Sequence, residues 1–218
     1  DARIRGAISM GHAGRVDQGR EMLRTTSVGS ARERARLTSA EAEILRVAGD
    51  DTAAFELLDA AVKKQPNNPD LLYDHAMSAE RLDKIEVLEK SLRKVTEINP
   101  ESAHAFNALG YTLADRNLRL DEARKLIEKA LELSPEDPHI LDSMGWVLYR
   151  QGDLEGAEKY LRKAFDKSPE AEVSTHLGEV LHMLGRVDEA REIWAKARSI
   201  DPDNKILKST LARLNVSL

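Results

Sequence analysis

Residues 138–171 read PHILDSMGWVLYRQGDLEGAEKYLRKAFDKSPEA, and the fold is decided by what recurs on either side of them. Gly145 lies near the middle of a first apolar-periodic segment. Ala157 and Ala164 mark a second, and Pro169 closes it. The same marks appear downstream at Gly178, Ala190, Ala197 and Pro202, and upstream at Gly110, Ala123, Ala130 and Pro135. The prolines extend the register further: Pro66, Pro100, Pro135, Pro169 and Pro202 are spaced by 34, 35, 34 and 33 residues. A fixed period of this length is the signature of a repeat architecture in which each copy is one supersecondary unit. The residue types fit two antiparallel helices that cross closely. Gly on the first helix lets the second approach, and Ala on the second admits the next repeat. Proline cannot continue a helix, and it biases the residue before it away from the α region. One such pair cannot bury its apolar face alone, and stacking supplies the missing surface.

Leu109-Gly110, Met144-Gly145 and Leu177-Gly178, with Ala123/Ile127, Ala157/Leu161, Ala190/Trp194 and the closing prolines, resemble the tetratricopeptide (TPR) pattern. The resemblance implies an all-α fold: a TPR α-solenoid, a right-handed superhelix of antiparallel helix pairs. The expectation is a single solenoid over 1–218, with repeats at about 1–34, 35–68, 69–102, 103–137, 138–171 and 172–204. A capping helix follows at about 205–216, where Ile206, Leu207, Leu211 and Leu214 fall at helical spacing and Asp203 or Asn204 is the expected N-cap. The repeats before residue 103 are looser. Leu88 replaces the usual small residue, and the first repeat is visible as Gly14-Arg15-Val16-Asp17 mirroring Gly185-Arg186-Val187-Asp188. That repeat lacks a closing proline, so Thr25–Ser30 reads as a loose joint. The fourth carries one extra residue: Gly110 to Ala123 spans 13 positions against 12 from Gly145 to Ala157, which widens the turn near Arg116–Arg119. The N-terminal end shows no polar cap, the expectation for further solenoid before Asp1.

Composition narrows the function. The 218 residues are 33% charged and only 4% aromatic, so the core is built from Ala, Leu, Ile and Val. Net charge is −5, which does not suit nucleic acid as the main partner. Residues 1–50 carry nine Arg against seven acids, and the remainder carries 24 basic residues against 31 acids. Absence of cysteine removes disulfides and thiol chemistry, and it suits cytosol and periplasm equally. No apolar run approaches the ~18 residues that span a bilayer. Of six histidines, none forms the i,i+4 pair of a helical zinc site; His176 and His182 are six apart. There is no phosphate-cradling glycine loop and no nucleophile elbow. The reading is therefore a non-catalytic scaffold with no metal and no cofactor.

In the TPR family the concave groove is lined from positions 2, 5, 9, 12 and 13 of each repeat. Carried over residue by residue, this implies Tyr73 and Met77 from 69–102, then His104, Asn107 and Tyr111 from 103–137. His139, Asp142, Trp146, Tyr149 and Arg150 come from 138–171, and Glu172, Glu179 and His182 from the last full repeat. Three of the four tyrosines and one of the two tryptophans fall on these positions. Aromatic and Arg side chains are favoured interface anchors, so a protein or peptide partner is expected there. Family members that grip chaperone tails use Lys at position 5 with Asn at position 9. No repeat here has that pair: position 5 reads Ser39, Tyr73, Asn107, Asp142 and Thr175.

The segments Phe106–Asp115, Ile140–Arg150 and His176–Leu181 are more particular. Over about 103–200 the chain resembles the C-terminal region of proteobacterial outer-membrane TPR lipoproteins. Some of these are adaptors that bind a periplasmic carboxyl-terminal processing protease and present its substrates. The resemblance implies a periplasmic scaffold, tethered to the outer membrane by a lipid anchor outside this sequence. The alternative is a self-associating structural solenoid in a larger envelope assembly.

Overall fold

The computed structural model describes residues 2–218. Among these residues the secondary structure is thirteen α-helices and no strand. The chain divides into two compact units, Asp1–Pro100 and Glu101–Leu218, where the sequence pattern alone shows a single continuous series.

The first unit holds three helix pairs: α1 (Ala2–His12) with α2 (Val16–Arg24), α3 (Ala31–Val47) with α4 (Asp51–Lys64), and α5 (Pro69–Arg81) with α6 (Ile85–Ile98). Start signals are local. Asn68 accepts from the Asp70 and Leu71 amides just before Pro69, whose missing N–H costs nothing in a first turn. Asp50 caps α4 through the Ala53 amide. The joint at Thr25–Ser30 is better tied than its composition suggests. The Thr26 hydroxyl donates back to the Met22 carbonyl, and Ser30 forms a reciprocal capping box with Glu33. The core of the first unit includes Ala7, Leu23, Ala40 and Ile44 under the first pair, Ala42, Leu45, Ala54, Leu58 and Leu71 under the second, and Leu72, Ala76, Leu92 and Val95 at the third. Leu88, at the small-residue position, is fully buried.

The second unit holds α7 (Ala103–Asp115) with α8 (Leu120–Leu133), α9 (Pro138–Arg150) with α10 (Leu154–Lys167), and α11 (Ala171–Met183) with α12 (Val187–Ile200). A last helix, α13 (Lys205–Arg213), packs on α11. Asn204, one of the two expected caps, accepts from the Leu207 amide. Each pair turns through a left-handed residue, Gly152 (φ 89°) and Gly185 (φ 79°) in the last two. The extra residue of the fourth repeat appears here as a turn with two left-handed residues, Asn117 (φ 55°) and Arg119 (φ 43°).

The packing rests on glycines at the helix crossings. A Cβ at Gly178 would stand 2.4 Å from Trp194 Nε1, and one at Gly145 would stand 2.5 Å from Leu161 Cγ. Trp194 and Leu161 are themselves fully buried, so neither can swing away cheaply. Gly178→Ala should therefore lower stability by about 1–3 kcal/mol through overpacking. Gly6→Ala in α1, which meets only Met22 Sδ at 3.8 Å, should raise it by about 0.5–1 kcal/mol through helix propensity. Urea unfolding of the two variants checks the opposite signs.

Candidate functional site

The second unit carries the densest set of expected positions, on α7, α9 and α11. At its centre the His176 imidazole lies with Nδ1 3.0 Å from both carboxylate oxygens of Asp142, one repeat earlier. Both side chains are buried. Trp146 stacks on the imidazole, with centroids 4.1 Å apart and planes 20° apart, and Tyr149 leans on Trp146 at 5.1 Å. Tyr111 stands 6.3 Å from His176 on the other side. Its hydroxyl donates to Glu172 at 2.6 Å, from α7 to α11. The Tyr149 hydroxyl donates to Glu179 at 2.6 Å. Glu179 also accepts from Arg213 at 2.7 Å and from the Thr210 hydroxyl at 3.3 Å, both on α13. The Arg150 guanidinium sits over the Trp146 ring at 5.7 Å.

Electrostatics follow from this enclosure. Burial opposes charge on His176, but the Asp142 carboxylate beside it outweighs burial and holds the imidazole above the usual histidine range. The Tyr111 hydroxyl is pushed far up by burial and by Glu172. The Tyr149 hydroxyl is pushed up to about 12 by burial and its bond to Glu179. Both phenols are therefore donors at any physiological pH.

Of the expected residues, Tyr111, Asp142, Trp146, Tyr149 and Glu179 join one network. Trp146 is only 4% exposed and Glu179 1%, so these two support the wall from within. Arg150 and Tyr149 are partly exposed at its margin, and His104 and His139 are exposed. His139 Nε2 lies 3.8 Å from Glu170. Asn107 is partly buried on α7. The His182 ring points to Trp194, with centroids 5.7 Å apart, on the side of the paired helix. Tyr73 and Met77 are partly buried on α5 in the first unit, where burial pushes the Tyr73 hydroxyl up. Pattern reading missed His176, Thr210 and Arg213. The available signal was spacing: His176 follows Asp142 by 34 residues, one repeat length. Among the described residues, no group of three or more His, Asp or Glu side chains is arranged to hold a metal ion. No described helix is long and apolar enough to cross a membrane.

The tetratricopeptide repeat family pattern matches residues 11–69, 73–138 and 143–205. The chain belongs to the tetratricopeptide repeat family. A TPR repeat-containing protein of Pseudomonas aeruginosa is 43% identical over 178 residues, which is 82% of this chain. The chain spans only 30% of that relative's length. Among solved structures, a thermophilic TPR protein of Thermus thermophilus superposes with a TM-score of 0.69 at 22% identity, covering 86% of this chain and all of that one. The pilF protein of Pseudomonas aeruginosa superposes with a TM-score of 0.71 at 17% identity, covering 98% and 96%. At these identities the superpositions show the fold: the chain is an all-α TPR solenoid, the architecture of protein-interaction scaffolds.

Two outcomes follow from the network. Arg213→Ala leaves the Glu179 carboxylate, 1% exposed, buried without its cation, and should cost about 3–5 kcal/mol. Glu179→Ala should cost less, because the Arg213 side chain it frees is 54% exposed and can turn to water; denaturant unfolding ranks the two. His176 has a raised folded pKa, so its contribution is complete below about pH 6.5 and is lost as pH rises through the folded value. Stability should therefore fall on the alkaline side of that titration, and Asp142→Asn should remove the slope, as read by unfolding across pH and by the His176 ring resonances.

Proposed function

We propose that this chain is a non-catalytic adaptor that holds a partner protein on the inner helices of its repeats, in the periplasm of a proteobacterium. A carboxyl-terminal processing protease and the substrates presented to it are the partners of this reading. A lipid anchor outside residues 1–218 tethers the full-length protein to the outer membrane. The observation that carries partner binding is the internally braced wall on α7, α9 and α11. Tyr111–Glu172, His176–Asp142 and Tyr149–Glu179–Arg213 already brace it internally, while among the described residues Trp146 Nε1 and Asn107 Oδ1 are buried without a hydrogen-bond partner. A wall that is rigid before binding loses little freedom on association. At its margin it offers Arg150 and Tyr149, residue types that anchor interfaces. The likeness of residues 103–200 to outer-membrane adaptors supports the protease and the compartment, and the Pseudomonas relative is in keeping with that source.

The test is capture from a proteobacterial envelope extract on immobilised chain. Recovery of a carboxyl-terminal processing protease, weakened about tenfold or more by Arg150→Glu, is the expected result. Recovery of cytosolic proteins alone refutes the periplasmic reading. A sedimentation mass that climbs with concentration, with nothing captured, favours the self-associating solenoid instead.

A further inference from the structure

The inner face of the first unit differs from that of the second at one telling place. Aligned by repeat register, the crossing of α3, α4 and α5 corresponds to that of α9, α10 and α11. Ala42 matches Gly145, Ala54 matches Ala157 and Leu58 matches Leu161. In the second unit the space between the two inner helices is plugged by Trp146 lying on His176, whose imidazole pairs with Asp142. In the first unit the matching positions are Glu43 for Trp146, Asp74 for His176 and Ser39 for Asp142. Neither large ring is present. A cleft of about 140 Å³ opens there, with Ala42, Leu58 and Met77 among its walls. That is well above the ~10–15 Å³ that a single water requires on the same measure.

Four charged residues line this cleft, Glu43, Asp74, Arg46 and Arg81, and both arginines are held by carboxylates other than Asp74. Glu43 is engaged by Arg46, with Arg46 Nε 2.6 Å from Glu43 Oε2. Arg81 is taken by Asp51, at 2.5 Å. Among the described residues Asp74 pairs with no cation; the Ser39 hydroxyl donates to it, and the nearby carboxylates of Asp70 and Glu43 oppose its charge. Burial, joined by those two neighbours, pushes the Asp74 carboxyl above the ordinary range. In the second unit the corresponding space holds an imidazole against a carboxylate, both contributed by the chain itself.

We propose that the cleft between α3 and α5 receives an arginine or lysine side chain of a partner protein, its stem against Ala42, Leu58 and Met77 and its charged head on Asp74. The apolar walls suit the methylene stem of a long basic side chain, which covers apolar surface while its head keeps a polar partner. The charge-assisted bond to Asp74 replaces the missing internal cation. This inference rests on the reading of the inner helices as the partner-binding face, and it adds which side chain the first unit selects.

The experiment uses four short blocked peptides that are identical except for one central Arg, Lys, citrulline or Glu. Each is titrated into the labelled chain while the Met77 methyl and the Asp74 amide are followed by NMR. Arg and Lys peptides should shift both signals saturably, and the citrulline and Glu peptides should bind about tenfold more weakly or not at all. Asp74→Asn, which keeps the shape, should remove the preference for Arg over citrulline. Glu43→Trp, which places an indole where Trp146 lies in the other register, should block the cleft. Equal binding of the Arg and citrulline peptides, or a preference that survives Asp74→Asn, overturns the inference. An envelope partner whose capture depends on Arg150 and is indifferent to Asp74→Asn also overturns it, and leaves the adaptor reading in place.

Discussion

Everything in the second unit depends on how closely the two helices of each pair can lie. At Gly110, Gly145 and Gly178 the space of a single methyl group is already occupied, by Ile127, Leu161 and Trp194 respectively. This contact has two effects. It buries the largest side chains of the outer helices completely, and at ~25 cal/mol per Å² that burial is the main stabilising term of each repeat. It also fixes the rotation of each inner helix about its own axis. Once Gly178 faces Trp194, the opposite flank of α11, with Glu172, His176 and Glu179, must turn towards α9 and α7. The indole Nε1 of Trp194 then reaches the Thr175 carbonyl at 3.1 Å, so the same residue that fills the crossing also ties the inner helix in place.

The polar network on that flank is costly to bury and specific in what it joins. A buried histidine–carboxylate pair stabilises little compared with apolar residues of the same shape, because desolvation offsets most of the attraction. What it supplies is selectivity. Asp142 is matched by His176 and not by any neighbour that leaves a carboxylate unpaired. Glu179 is matched by Tyr149 from the preceding repeat and by Arg213 from the following helix. In this way α9 recognises α11 and α11 recognises α13, which docks as an inner helix would, with its Arg213 one repeat length from Glu179. The outcome is a face whose side chains are held before any partner arrives.

The first unit uses the same backbone plan with different contents. Ala76 stands in the register of the glycines, and Leu88 takes the place of a small residue, yet both are fully buried. Its arginines and acids pair along or between neighbouring helices, as Arg46 does with Glu43 and Arg81 with Asp51. No indole fills the space between α3 and α5. Two faces built on one pattern therefore present different chemistry, one closed by its own aromatic and cationic groups and one open with a carboxylate in it.

The repeat period, the all-α helix-pair architecture and the family were legible in the sequence, because proline, glycine and capping residues act within a few positions of themselves. Pro100 and Pro135 end helical patterns wherever they stand, and Asn204 caps α13 through an amide three residues away. The position of each side chain within a repeat could be counted in the same way, which is why Tyr111, Asp142, Trp146, Tyr149 and Glu179 could be assigned together to one face. What counting could not decide is which of them remain open to a partner. Trp146 and Glu179 are buried because His176, Thr210 and Arg213 arrive from other repeats, at distances set by helix crossing and not by spacing along the chain. The division into two compact units, the closure of one inner face and the cleft beside Asp74 in the other belong to the tertiary structure alone. They depend on whether side chains 30 or more residues apart fill the same volume, and a periodic pattern is silent about volume.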